Sequence, residues 1–205
     1  NNYITRVENY DRELLSSCLP EIIESITDLL YDTKPEVAEL SELVLLKAMK
    51  GITNRDLEPF VEDLIIAMKD REQTEETIQK LGGVVFVQTV EGSALSVVIP
   101  LMIAGFKHNK AMTKRMCSRI VSNMSKLVEE PLEAAPFLKD LIPALGDSID
   151  TIADPEARDV AKKTYDALIS MEEKSKQMDL DKEFRKPNII LNKLSSKTSI
   201  SKDDY

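Results

Sequence analysis

The chain has no tryptophan, six glycines, one histidine and two cysteines in 205 residues. So few glycines exclude a turn-rich β architecture, which needs residues tolerant of positive φ at frequent corners. Aromatic residues are 5% of the chain against an apolar total of 42%, so any interior is packed mainly by Leu, Ile, Val and Ala. His108 stands alone, and Cys18 and Cys117 lie far apart, which leaves no metal-ligand spacing. The two cysteines fall in apolar patterns and read as small buried thiols of a reducing compartment. No apolar run reaches the roughly 18 residues needed to span a bilayer, and no secretory leader is visible. The first residue is Asn1 rather than Met, which fits either a removed leader or a segment of something longer.

Chemistry is missing as well. None of the glycines (Gly51, Gly82, Gly83, Gly92, Gly105, Gly146) is followed by Lys, so there is no Gly-x-x-x-x-Gly-Lys-Ser/Thr phosphate loop. No nucleophile stands with a base, and no carboxylate pair is marked as an acid–base dyad. We therefore expect no catalytic residues, no cofactor and no metal. With 27 basic and 36 acidic residues, the net charge of -9 opposes wrapping by nucleic acid over the whole surface, while leaving room for local basic patches.

What is present is repetition. Pro20, Pro59, Pro100 and Pro143 each sit in an apolar helical stretch, recurring roughly every forty residues, the period of helical-hairpin solenoids. A leading helix over 3–18 precedes the first pair. Pro20 opens one helix of that pair, and Pro35 stands where a helix starts without needing its N–H. The second pair begins at Pro59, and its partner helix is predicted over 74–90 despite Gly82-Gly83. The third pair spans 93–106 and 112–128. The fourth starts near Ala135, and Asp154-Pro155-Glu156 restarts a helix with Asp as N-cap. One such hairpin cannot hide its apolar side, so neighbours stack over a continuous core. The expected architecture is all-α: an α-solenoid of about four HEAT-type hairpins over 1–171, followed by a polar, extended C-terminal tail over 172–205 docked on the solenoid or on a partner.

Several segments carry a family resemblance. Phe86-Val87-Gln88-Thr89-Val90, Ala94-Leu95-Ser96-Val97-Val98-Ile99-Pro100-Leu101, Lys126-Leu127-Val128-Glu129-Glu130-Pro131, Ala135-Pro136-Phe137-Leu138 and Thr151-Ile152-Ala153-Asp154-Pro155-Glu156-Ala157-Arg158 resemble the N-terminal HEAT domain of the translation elongation factor 3 family. The likeness runs from about Leu57 to Leu168. It implies an arm that contacts the ribosome, in a family whose ATPase cassettes lie elsewhere and are missing from this chain.

One surface stands out for binding. Arg115, Arg119, Ser122 and Lys126 form a single helical row, and Lys107, Lys110 and Lys114 add charge near its start. In an acidic chain this is a local positive stripe suited to ribosomal RNA phosphates or to an acidic protein. It also fits an ordinary solvated helix face, and no aromatic residue interleaves with it for base stacking. His108 reads as a turn residue, and Asp154 with Arg158 as a cap or an ion pair within the repeat. The expected role is a non-catalytic binding scaffold with protein or ribosome partners, no small-molecule substrate and a cytoplasmic location. The alternative is a stand-alone adaptor subunit of a large assembly, in an organelle after leader removal.

Overall fold

The computed structural model describes residues 12–52 and 55–197, with side chains described over 18–50 and 55–181. Most of the leading helix expected over 3–18, and the end of the tail, lie outside that set. The helices are α1 (Arg12–Thr27), α2 (Pro35–Ile52), α3 (Val61–Lys69), α4 (Thr74–Gly82), α5 (Gly92–Phe106), α6 (Ala111–Ser125), α7 (Pro131–Ile149) and α8 (Pro155–Lys197). Short 3₁₀ turns occupy Asp28–Tyr31, Glu58–Phe60 and Arg71–Gln73. No strand occurs among the described residues. The helices form four consecutive hairpins, as the proline period predicts.

The core is organised around α5. Ala94, Val97, Val98 and Met102 have no exposed surface, and only Pro100 and Ala104 are open to solvent. A helix apolar on every side must be enclosed on every side. Its main neighbours are α1, α3, α4, α6 and α7, with a smaller contact from α2. Solenoid layering is regular from the second hairpin onward, with α4, α6 and α8 stacked in one layer and α3, α5 and α7 in the other. The first hairpin departs from it, because α1 lies chiefly on α5. With nine residues each, α3 and α4 are about 13 Å long, too short to cover α5, and α1 fills the remainder.

Of the four recurring prolines, three lie inside helices and Pro59 does not. Pro20 is interior to α1 instead of opening a new helix, Pro100 is interior to α5, and Pro136 and Pro143 are interior to α7. Each removes one helical hydrogen bond. Pro100, Pro136 and Pro143 are exposed. Pro59 instead sits in the 3₁₀ turn before α3.

Two further expectations are overturned. The helix predicted over 74–90 stops at Gly82, and residues 84–91 cross to α5 as irregular backbone. Two successive glycines weaken the helix there, and other groups take over the backbone donors. The Val87 and Gln88 N–H groups donate to Asp56 Oδ2 at 2.7 and 2.8 Å, and the Val90 N–H to the Leu127 carbonyl at 3.0 Å. Phe86 and Val90 are buried while Val85 and Val87 face outward.

The tail expected to be extended is helical to Lys197, and α8 runs through the boundary expected at residue 171. Glycine is absent from Pro155 to Lys197, and the first proline after Pro155 is Pro187. Glu172 and Lys176 pair one turn apart at 2.8 Å, and Ser175 is still buried. At 43 residues, α8 is about 65 Å long, far longer than its hairpin partner.

Gly105 is where α5, α6 and α4 meet most closely. A Cβ there would collide with Cys117 Sγ of α6 and with the Ile78 side chain of α4. Gly83 has helical backbone, and a Cβ there meets nothing nearer than the Lys80 carbonyl at 3.5 Å. Urea denaturation should show Gly105→Ala losing about 1–3 kcal/mol through overpacking, while Gly83→Ala is neutral or gains up to about 1 kcal/mol. Equal effects at the two sites would contradict this packing.

The two cysteines differ, contrary to the expectation of two buried thiols. Cys117 is buried, which pushes its pKa up to about 12, whereas Cys18 is exposed. Thiolate is the reactive form, so at pH 8 a thiol reagent should label Cys18 quickly and Cys117 only after unfolding. Equal native labelling rates would show the α5–α6 contact to be open.

Candidate partner-binding groove

The α6 helix is sharply two-sided. Thr113, Cys117, Ile120, Val121 and Met124 face the core, and Arg115, Arg119 and Lys126 face solvent. His108 fills the turn before it, its Nδ1 accepting the Lys110 N–H at 3.2 Å.

The six cations singled out in the sequence do not form one patch. Lys107 lies on the other side of the array, in a groove of about 620 Å³ between α5 and α7 with Pro100, Phe137 and Pro143. Lys110 reaches back to Glu75 of α4 at 2.6 Å. Lys114 is buried and donates to Thr151 Oγ1 at 2.6 Å, joining α6 to the loop before α8. Arg115 pairs with Asp154 Oδ2 at 3.2 Å, both groups nearly half-exposed, which makes the pair a modest contributor to stability. Arg119 and Lys126 are exposed and make no ion pair among the described residues.

The row Arg115, Arg119, Ser122, Lys126 does persist, as one wall of a groove of about 570 Å³ between α6 and α8. The facing wall and floor come from Glu156, Ala157, Val160, Lys163, Thr164 and Ala167. Residues of that facing wall were not singled out from the sequence, although the solenoid step held the signal: about forty residues on from Arg119 and Lys126 are Val160 and Ala167. Lys163 is held above the usual lysine range by its hydrogen bond to Asp159 at 2.7 Å, so it is cationic throughout the neutral range.

The mouth of the groove is organised by Asp154. Its Oδ1 accepts the Glu156 N–H at 3.1 Å, capping α8 as expected. The ion pair expected with Arg158 is absent. Arg158 instead donates through Nε and Nη2 to the Ile152 carbonyl at 2.9 and 2.7 Å, and Asp154 turns across the repeat boundary to Arg115. Capping an orphan amide and bridging two hairpins are thus done by one carboxylate.

A groove between equivalent helices of successive hairpins, with cations on one wall and small apolar residues on its floor, belongs to an α-solenoid. The family described as Elongation factor 3/GNC1 HEAT repeat matches residues 72–179, just over half of the chain. Elongation factor 3 of Candida glabrata is 39% identical over 149 residues, covering 73% of this chain and 14% of that protein. Elongation factor 3A of Saccharomyces cerevisiae is 37% identical over 150 residues, 73% of this chain and 14% of the relative. Elongation factor 3 of Phytophthora infestans is 35% identical over 168 residues, 80% and 16% respectively. The chain belongs to the elongation factor 3/GNC1 HEAT-repeat family. It spans about one-seventh of the length of these relatives. No helix among the described residues is long and apolar enough to cross a membrane.

Asp154→Ala should cost about 1 kcal/mol of stability in urea denaturation by removing the cap, and Arg115→Gln clearly less, as an exposed pair. Equal losses would mean that the bridge, which both variants remove, and not the cap accounts for the stability.

Proposed function

We propose that this chain is a non-catalytic HEAT-repeat binding module that contacts the ribosome through the α6/α8 groove. The observation that carries the reading is the pair Arg119 and Lys126, two exposed cations without acidic partners among the described residues, set in a groove wall of an otherwise acidic chain. Exposed unpaired charge at the edge of a groove steers encounter with an anionic surface and fixes register. Membership of a family whose relatives are named as elongation factors supports the ribosome as the assembly. On this reading the chain works in the cytoplasm. Neither Lys110 nor Lys114 is offered as a contact, since each is already engaged within the fold. The adaptor alternative would use the same groove together with the tail, whose residues 172–197 are helical.

Co-sedimentation with purified ribosomes tests this. Wild-type association should weaken as salt rises, because exposed charges are screened within about 10 Å at 0.1 M. Arg119→Glu combined with Lys126→Glu should lower association about tenfold or more with an unchanged melting temperature. Undiminished association in the double variant would remove the groove as the contact.

A further inference from the structure

Resting on the α6/α8 groove as the contact surface, we propose that what seats in it is protein: an amphipathic helix of about three turns with carboxylates along one edge. The length follows from the walls. Arg115 to Lys126 is eleven residues of rise, about 16 Å. The Arg115–Asp154 pair joins the beginnings of α6 and α8, so the two helices run parallel, with the groove as a straight trough between them.

The floor selects the class of partner. Ala157, Val160, Thr164 and Ala167 line it at helical spacing, and Val160 and Ala167 are exposed. Small side chains let another helix approach closely, and their carbon surface gains by being covered. A phosphate backbone would leave that floor wet and gain nothing from it. No aromatic residue lines the groove, so bases find no stacking platform.

The cations set the polarity of the guest. Arg119 and Lys126 are two turns apart, about 10.5 Å, which matches carboxylates seven residues apart on a helix lying alongside. Lys163 on the opposite wall is already paired with Asp159, and Glu156 stands in the first turn of α8, toward the Arg115 end. An acidic helix therefore binds with its carboxylates toward the Lys126 end. The class of ligand differs from a nucleic-acid contact at the same residues, and this makes it testable.

A photoreactive benzoylphenylalanine at Ser122, in the groove wall, would be irradiated on purified ribosomes, and the adduct digested separately with ribonuclease and protease. The expected adduct resists ribonuclease and is reduced by protease. In parallel, Val160→Lys should lower co-sedimentation about tenfold or more by charging the apolar floor, with Ala167→Lys as a second floor variant should Val160→Lys lower the melting temperature. An adduct trimmed by ribonuclease, or tighter association of either lysine variant, would overturn the helix while leaving the groove as the contact. A wild-type chain that fails to sediment, or one that sediments without any adduct at Ser122, would overturn the contact surface and the helix with it.

Discussion

The enclosure of α5 is the constraint on which the rest of the structure depends. An apolar helix with almost no polar face gains stability only when every side is covered, at roughly 1.5–3 kcal/mol for each large aliphatic side chain taken out of water. The second hairpin, with nine residues in each helix, covers too little of it. Hence α1 leaves the position a regular stack would give it and lies on α5. Close approach of α4 and α6 on the remaining side requires the missing side chain of Gly105. Residues 84–91 are then pinned by Asp56 and Leu127 so that the third hairpin begins where α5 can be wrapped.

From that packing the two sides of the array acquire different surfaces. Toward the α5/α7 layer, exposed prolines and Phe137 shape a groove with mixed charge. Toward the α6/α8 layer, parallel helices leave a trough whose wall carries cations and whose floor is small and apolar. Register between those helices is set by Lys114 with Thr151 and by Arg115 with Asp154, so Lys114 positions the trough and Arg115 both positions and lines it.

Much of this was legible in the sequence for a simple reason: hairpin repetition and helical spacing are set by local pattern. Pro35, the Asp154 cap and the α6 core face were readable in that way. What local pattern could not show was competition between neighbours. Whether Val84 to Val90 continues a helix depended on Asp56, nearly thirty residues earlier, offering a carboxylate to two amides. Whether Lys110 and Lys114 are contacts depended on Glu75 and Thr151 from other hairpins. The tail read as extended because its apolar residues are sparse, yet a stretch without glycine, and without proline between Pro155 and Pro187, keeps propagating from an anchored helix, since nucleation is already complete. Half of the groove was missed because α8 supplies it, and only the repeat step connects α8 to α6.

The proposed contact would cover one face of the array and leave the opposite face as it is. Hydrogen–deuterium exchange of the chain alone and bound to ribosomes reads that division directly. Backbone amides of 115–126 in α6 and 156–167 in α8 should slow on binding, while those lining the α5/α7 groove exchange as before. Protection confined to the α5/α7 side, with α6 and α8 unchanged, would contradict the account.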